Sequence, residues 1–304
     1  MADRRRDRRR RDPSRPRTGR VAQLLALTAF SAALLATAVS VDRNQGTVSG
    51  AAPDGTSATP AQDAAPSTEP GAGDQLRVAV YGDSLVWEAR AALATRLEPD
   101  VAVRIESFGG TALCDYTDRI LADAAGDPSR LVVIGFTGNT HTPCMDRVGD
   151  DPTRDELAAA YVDDLDRVIE ELDRSGTPVL LVGAPPSLSP QGTTRWTPIN
   201  QAWQDAADRW AGAGADVTYA DTGRVLTHPD GRWAGTLPCL PFEDAGLGCG
   251  DGRIRVRSDD SVHFCAQLGP APSGVIQECA VWNSGAWRYA GALADAVRTR
   301  LAEL

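Results

Sequence analysis

The sequence predicts an α/β domain in residues 76–304, built on a five-stranded, doubly wound and mostly parallel sheet with helices on both faces. Five short apolar runs recur along this region, and helical patterns separate them. Strands that alternate with helices are typical of a parallel sheet covered on both faces. The region is about 230 residues long, which suits one domain with a buried core.

The individual elements follow from short-range patterns. A helix is predicted over Arg154–Arg174, because apolar residues recur there every three or four positions. Asp and Glu fill its other face, which we interpret as a solvated surface. A second helix, Ile199–Ala213, places Trp203 and Trp210 on one face, an arrangement typical of core packing. The five strands are predicted at Leu76–Tyr81, Val101–Phe108, Leu131–Phe136, Val179–Val182 and Val217–Ala220.

The tetrapeptide Gly82-Asp83-Ser84-Leu85 lies between the first predicted strand and a helix-like stretch from Val86 to Leu97. A serine at such a turn lies at the carboxyl edge of the sheet, where the N–H groups that open the helix face whatever it attacks. Ser84 is therefore a candidate nucleophile. The simpler interpretation is helix capping, since Gly-Asp-Ser also forms ordinary caps.

A second motif, Asp260-Ser261-Val262-His263, supplies the groups that a serine nucleophile needs. The serine hydroxyl does not ionise near neutral pH, so a histidine must take its proton and a carboxylate must orient the imidazole. His263 is the candidate base, and Asp260 is its candidate partner. Their distance from Ser84 in sequence is no obstacle, because such groups meet in space.

Candidate oxyanion donors follow two other predicted strands. Gly109 and Gly110 come after the second strand and offer a backbone N–H without a Cβ nearby. Asn139 comes after the third strand and offers a side-chain amide. With the N–H of Ser84, these groups would place three donors around an oxyanion.

This order of motifs resembles the four blocks of the SGNH (GDSL) hydrolases over residues 75–304. The resemblance implies a flavodoxin-like fold and esterase or acyltransferase chemistry. It also implies that Ser84 is the nucleophile, that His263 and Asp260 are the base and its partner, and that Gly109 or Gly110 and Asn139 bind the oxyanion. One departure is visible: the third block of the family usually reads Gly-x-Asn-Asp, and this chain has Thr137-Gly138-Asn139-Thr140.

Six cysteines lie beyond residue 75, an even number that suggests disulfides in an exported domain. We predict pairs between sequence neighbours, because each pair would hold a loop beside a proposed site element. Free buried thiols are the alternative. Zinc ligation does not fit the cysteine spacing, and we predict no metal ion or other cofactor. The predicted pairs are Cys114–Cys144, Cys239–Cys249 and Cys265–Cys279.

The N-terminus predicts the location of the domain. Residues 1–20 contain ten Arg and form a basic cytoplasmic segment, and residues 21–40 carry no charge and are long enough to span a bilayer. Residues 41–75 have the composition of a disordered linker. We expect an uncleaved, single-pass membrane anchor with the catalytic domain outside the cytoplasm. A cleavable signal peptide ending near Ala36-Thr37-Ala38 is the alternative, and it would give a secreted protein.

Charge excludes one class of partner. The chain has a net charge of −10, and from Gln75 onward 20 Arg face 33 Asp and Glu. Such an acidic domain without a basic stripe does not suit nucleic acid. Arg253, Arg255 and Arg257 alternate with apolar residues and would share one strand face, where they bind an anion or offset the domain's own carboxylates.

The sequence thus predicts a serine esterase or acyl hydrolase that acts on oxygen esters, with an acylated small molecule, glycan or lipid as substrate. An O-acyltransferase with the same triad is the alternative within this chemistry. An inactive carbohydrate-binding module on the same fold is the alternative from another class, although a binder has no need of all three triad residues. Oligomeric state has no signature in the sequence.

Overall fold

The computed structural model describes residues 76–126, 128–265, 279 and 281–304. The predicted basic segment, membrane anchor and linker lie outside these residues. In the part that is described, no helix is long and apolar enough to cross a membrane. The elements in chain order are β1 (Leu76–Gly82), α1 (Ser84–Leu97), β2 (Val101–Ser107), α2 (Thr117–Gly126), β3 (Leu131–Gly135), α3 (Arg154–Arg174), β4 (Val179–Val182), β5 (Ser187–Leu188), β6 (Thr194–Arg195), α4 (Pro198–Gly212), β7 (Val217–Ala220), β8 (Thr236–Pro238), β9 (Arg253–Arg255) and α5 (Ser284–Glu303).

The main sheet has five strands in the order β2-β1-β3-β4-β7, and every neighbouring pair is parallel. This is the flavodoxin-like strand order, with its switch point between β1 and β3. Gly82 at the end of β1 is in register with Ser107 of β2 and Gly135 of β3. The carboxyl ends of these three strands therefore lie at the same edge of the sheet. All five predicted strands are present in this sheet.

Helices cover both faces of the sheet, as predicted. Val78 and Val80 of β1 pack into an apolar cluster with α1 and α5, whereas Ala79 and Tyr81 pack into another with α2, α3 and α4. Successive side chains of a strand point to opposite faces, so each layer receives alternate residues of β1. All five residues of β3 are buried, as expected of a central strand covered on both faces.

Two helix predictions change in detail. Helix α1 begins at Ser84, two residues before the predicted start, because Asp83 caps it through a hydrogen bond from the N–H of Leu85 to Oδ1 at 3.2 Å. The acidic face of α3 is not wholly solvated, and the prediction is wrong for Asp164. That carboxylate is 4% exposed and accepts a hydrogen bond from Arg147 at 2.5 Å. Burial raises the pKa of Asp164, and the arginine opposes that rise.

The predicted core residues and disulfides are present. Trp203 is fully buried, and the Nε1–H of Trp210 donates to Asp166 at 2.7 Å. The cysteines pair as Cys114–Cys144, Cys239–Cys249 and Cys265–Cys279, with Cα atoms 6.0, 6.0 and 5.3 Å apart. No free cysteine remains among the described residues. The first bridge joins the loop after β2 to the loop after β3, and the third begins two residues after His263.

Candidate active site

The proposed nucleophile lies in the first turn of α1, directly after β1. Gly82 is required at the end of the strand, because a Cβ there would lie 2.7 Å from the carbonyl oxygen of Gly135. Ser84 is 7% exposed. Its N–H belongs to the first turn of a helix, where the helix itself supplies no acceptor. The strand-to-helix turn thus holds a hydroxyl and an orphan N–H side by side.

Ser84, His263 and Asp260 form a continuous hydrogen-bonded chain. Nε2 of His263 lies 2.9 Å from Oγ of Ser84, and Nδ1 of His263 lies 2.6 Å from Oδ2 of Asp260. The structure therefore brings together three residues that the sequence separates by up to 179 positions. In this geometry Nδ1–H can donate to the carboxylate while Nε2 accepts the serine proton.

Asp260 is held in its ionised form by donors from its own loop. Oδ1 accepts hydrogen bonds from the hydroxyl of Ser258 at 2.5 Å and from the N–H groups of Val262 and His263 at 2.9 and 3.0 Å. Partial burial alone would raise the pKa of Asp260, but the bonds from Ser258, His263 and Val262 outweigh it and hold the pKa well below its usual value. The carboxylate is therefore available to orient the imidazole.

The loop that carries His263 is closed by a hydrogen bond between its two ends. The N–H of Ser258 donates to the carbonyl of His263 at 2.7 Å. Ser261 has a φ of 66°, a left-handed conformation that costs a non-glycine residue about 1–2 kcal/mol. Its carbonyl accepts a hydrogen bond from Nε1–H of Trp233 at 2.9 Å. Such a conformation persists only where neighbours hold it, and this one lies between the two predicted members of the triad.

The two candidate glycines are not equivalent. A Cβ on Gly109 would lie 3.9 Å from Cβ of Ser84, so Gly109 lies beside Ser84. Gly110 has a φ of +80° and open space around it. Glycine is therefore favoured there by the backbone conformation and not by a lack of space for a side chain. The ring of Phe108, next to Gly109, is 61% exposed and packs on Trp87 of α1 with centroids 6.0 Å apart.

Asn139 is tied to the same edge through its amide. Nδ2 donates to the carbonyl of Thr111 at 2.9 Å and to Oδ2 of Asp83 at 3.2 Å. Gly138, before it, has a φ of +103°, and side chains of Ile199 and Leu157 lie within 3.3 Å of where its Cβ would be. A glycine is therefore needed before Asn139. Binding of an oxyanion by the Asn139 amide stays a prediction. It requires the amide group to rotate, so that one N–H now bonded to Asp83 can donate to the oxyanion instead.

Two residues near the triad were not singled out in the sequence. Glu88 lies one turn after Ser84 on α1 and accepts hydrogen bonds from the N–H groups of Phe264 and Cys265 at 2.7 and 3.1 Å. Asp83 is fully buried and accepts four hydrogen bonds. Glu88 is the one acidic residue of α1 and lies four positions after the candidate nucleophile, and this was the signal available in the sequence.

The expectation that the three arginines share one strand face is wrong, whereas the pairing of Arg255 with Asp259 fits the alternative that they offset carboxylates of the domain. Strand β9 ends at Arg255, so the alternation does not continue to Arg257. Arg253 and Arg255 are exposed, whereas Arg257 is 1% exposed. Burial lowers the pKa of Arg257 to about 10. The guanidinium therefore lies in the interior, beneath the loop that carries His263. The three side chains do not form one anion-binding face.

Comparison with known proteins identifies a family but no curated relative. A model described as a protein of unknown function (DUF459) matches residues 77–268, which is more than half of the chain. No curated protein matches the sequence. Within the described residues, no group of three or more His, Cys, Asp or Glu side chains could hold a metal ion.

Several solved structures are similar to this chain. The C-terminal catalytic domain of peptidoglycan O-acetyltransferase A from Streptococcus pneumoniae is 19% identical, with a TM-score of 0.43 over 74% of this chain and 94% of that chain. A GDSL-like lipase from Bacteroides thetaiotaomicron is 11% identical, with a TM-score of 0.41 over 75% of this chain and 88% of that chain. An acetylxylan esterase from Geobacillus stearothermophilus is 12% identical, with a TM-score of 0.41 over 74% and 93%. Because these identities and TM-scores are low, any conclusion about activity rests on the geometry of the site.

Proposed function

We propose that this chain, which belongs to the DUF459 family, is a serine esterase or acyl hydrolase that cleaves oxygen esters through an acyl-serine intermediate. The observation that carries the proposal is the chain of hydrogen bonds from Ser84 through His263 to Asp260, with distances of 2.9 and 2.6 Å. Such a chain prepares a serine for proton transfer and attack. A binding module has no need of it.

In the first half-reaction, Oγ of Ser84 attacks the acyl carbonyl while Nε2 of His263 takes the hydroxyl proton. The carbonyl oxygen becomes an oxyanion, for which the N–H groups of Ser84 and Gly109 and the amide of Asn139 are the proposed donors. Asp260 stabilises the imidazolium that forms and keeps its proton on Nδ1. When the tetrahedral intermediate collapses, the bond to the leaving alcohol breaks and Nε2 returns the proton to its oxygen.

In the second half-reaction, water replaces the alcohol. His263 removes a proton from the water as its oxygen attacks the acyl-serine carbonyl, and the same donors hold the second oxyanion. Collapse breaks the bond to Oγ of Ser84, which regains its proton from Nε2. The products are a carboxylic acid and the restored hydroxyl, so no cofactor is needed to balance the reaction.

The proposed setting is the outer side of a cell membrane, with the domain tethered through residues 21–40. Three disulfides support an oxidising compartment. We propose a small acyl group on a glycan or lipid as substrate. The side chain of His263, which would return the proton to the leaving alcohol, is 35% exposed, so solvent reaches this part of the site.

A panel of p-nitrophenyl esters and acetylated glycans, assayed on the soluble domain, tests the proposal. The Ser84→Ala protein is the blank, because it removes one hydroxyl from a folded helix turn. We expect turnover by the wild type and none by the variant. Equal rates in the two proteins would contradict the proposal.

An O-acyltransferase remains the alternative function. It would use the same triad, with an acceptor hydroxyl in place of water, and the partly exposed side chain of His263 suits the approach of such an acceptor. The two functions differ in the fate of the acyl-serine, and they are separated by whether release needs an acceptor.

A further inference from the structure

The helix that begins with the nucleophile also holds the loop that carries the base. Glu88 follows Ser84 by one turn of α1, and its Oε2 accepts hydrogen bonds from the N–H groups of Phe264 and Cys265 at 2.7 and 3.1 Å. These are the two residues directly after His263. One rigid helical turn and one carboxylate therefore connect Ser84 to the backbone of its base.

The other side of His263 is held by a buried cation. Nη1 of Arg257 donates to the carbonyl of Val262 at 3.1 Å, and Nη2 donates to the carbonyl of Pro186 at 3.3 Å. The guanidinium lies over the ring of Phe264 at 5.2 Å. The residues before and after His263 are thus each fixed by an ionisable side chain, one basic and one acidic.

Stability alone is a poor explanation for a charge at the position of Glu88. The side chain is half-buried, and burial raises the pKa of its carboxyl, although the N–H groups of Cys265 and Phe264 oppose that rise. Buried charge is costly unless it is well satisfied, and apolar packing often replaces it without loss. Glu88 instead accepts hydrogen bonds from the two backbone N–H groups that follow His263, and such bonds fix the position of the imidazole.

Building on the proposed function, we infer that Glu88 is a positioning residue for His263, which it holds in line between Ser84 and Asp260. It acts through the backbone of Phe264 and Cys265 and does not touch the reacting atoms. A displacement of about 1 Å in a catalytic group costs on the order of 100-fold in rate. Loss of the bond should therefore reduce turnover while leaving substrate binding intact.

Three variants separate position from charge. In Glu88→Gln, the amide oxygen can accept both N–H groups as Oε2 does, so we expect kcat within about fivefold of the wild type. Glu88→Ala removes the acceptor, and Glu88→Asp keeps the charge on a shorter side chain. For both we expect kcat to fall roughly 10- to 100-fold with little change in KM.

The control is Glu243, a carboxylate more buried than Glu88, which accepts hydrogen bonds from the backbone N–H of Leu240 at 2.6 Å and from Arg288 at 3.3 Å. We expect Glu243→Ala to lower the melting temperature without changing kcat of the folded protein. Melting temperatures of all variants are measured beside the kinetics. If Glu88→Ala does not fold, Glu88→Asp alone decides the matter, because it retains the ionised group.

A second measurement does not depend on turnover. The Nδ1 proton of His263, bonded to Asp260, should give a low-field imidazole resonance in the NMR spectrum of the wild type. We expect Glu88→Gln to keep that resonance, and Glu88→Ala and Glu88→Asp to shift or broaden it. A wild type without ester turnover would end the proposed function but would leave this comparison interpretable.

Two outcomes would overturn the inference. One is wild-type kcat and an unchanged resonance in Glu88→Ala or Glu88→Asp, with only the melting temperature lowered. That result would show that the hydrogen bonds to Glu88 contribute to stability alone. The other is a Glu88→Gln protein as impaired as Glu88→Ala, which would show that charge, and not position, is what Glu88 supplies.

Discussion

The backbone N–H and the hydroxyl of Thr137 both donate to Oδ2 of Asp83, each at 2.6 Å. Asp83 precedes Ser84, and Thr137 lies in the loop that carries Asn139. One buried carboxylate therefore connects the helix start at β1 to the loop after β3. Burial raises the pKa of Asp83, and the bonds from Thr137 and Leu85 oppose that rise. The two sides of the proposed oxyanion site are held in register by this residue.

A fluorophosphonate probe should label Ser84 in the wild-type protein. Attack on phosphorus needs the same proton transfer to His263 as attack on an ester. Replacement of His263 by Ala should therefore abolish labelling without unfolding the domain, and mass spectrometry of the labelled peptide checks both statements. Labelling that persists in His263→Ala, or that falls on another residue, would contradict the assignment.

The ionised carboxylate of Asp260 should contribute both to activity and to the stability of the fold at neutral pH. The folded protein holds the Asp260 pKa below its usual value. Ionised Asp260 therefore stabilises the fold at neutral pH, and that contribution is lost only as the pH falls through the lowered value. Asp260→Asn should reduce kcat by up to about 10⁴-fold. It should also lower the melting temperature at neutral pH, by an amount that shrinks under strongly acid conditions.

Rate profiles against pH and melting curves for the two proteins measure both effects. A melting-temperature difference that grows as the pH falls would have the wrong sign for a carboxyl with a lowered pKa. It would show that the hydrogen bonds to Asp260 do not hold in solution.

Removal of the Asn139 amide tests the third oxyanion donor. Loss of one such donor typically costs about 2.7–4 kcal/mol of transition-state stabilisation. We expect Asn139→Ala to lower kcat accordingly, on the order of 100- to 1,000-fold, with KM little changed. Steady-state kinetics and the melting temperature are measured together. An unchanged kcat with a lower melting temperature would mean that the amide serves Asp83 and Thr111 only.

The regular framework was predictable because its signals are local. Strands β4 and β7 and helix α3 have the bounds predicted for them, since continuous aliphatic runs and a long helical period need no knowledge of distant residues. The motifs at Ser84 and His263 were visible for a similar reason, because each is a short segment of its own. Strands β5, β6, β8 and β9 have only two or three residues each, too few to show a period.

Long-range partners explain what the sequence did not show. Asp164 looks like one of several acidic residues on α3, and only the fold places Arg147 beside it. Glu88 and Arg257 acquire their roles from contacts with a loop that lies far from Glu88 in the chain. The alternation of arginines with apolar residues had also placed Arg257 on the same strand face as Arg253 and Arg255, but β9 ends at Arg255. No local pattern encodes such contacts.

The three disulfides should leave no titratable thiol in the denatured, unreduced domain. Removal of a native disulfide commonly costs about 2–5 kcal/mol. The pair Cys114–Cys144 joins the two loops that follow β2 and β3, so replacing both cysteines by Ala should lower kcat as well as the melting temperature. The pair Cys239–Cys249 is the matched control, for which we expect lower stability alone. Six free thiols in the unreduced protein would contradict the pairing and the exported location.

The fate of the acyl-serine separates a hydrolase from a transferase. A hydrolase must admit water to the intermediate, so acyl-Ser84 should be short-lived and product acid should appear without any acceptor. In a transferase the intermediate should accumulate and show a burst, because the true acceptor supplies the positioning for attack. We expect steady hydrolysis at neutral pH. Pre-steady-state assays with an activated ester, with and without a glycan acceptor, measure the difference, and Ser84→Ala is again the blank. A burst followed by acceptor-dependent release would replace hydrolysis by transfer, and the absence of any covalent adduct would leave only a binding module.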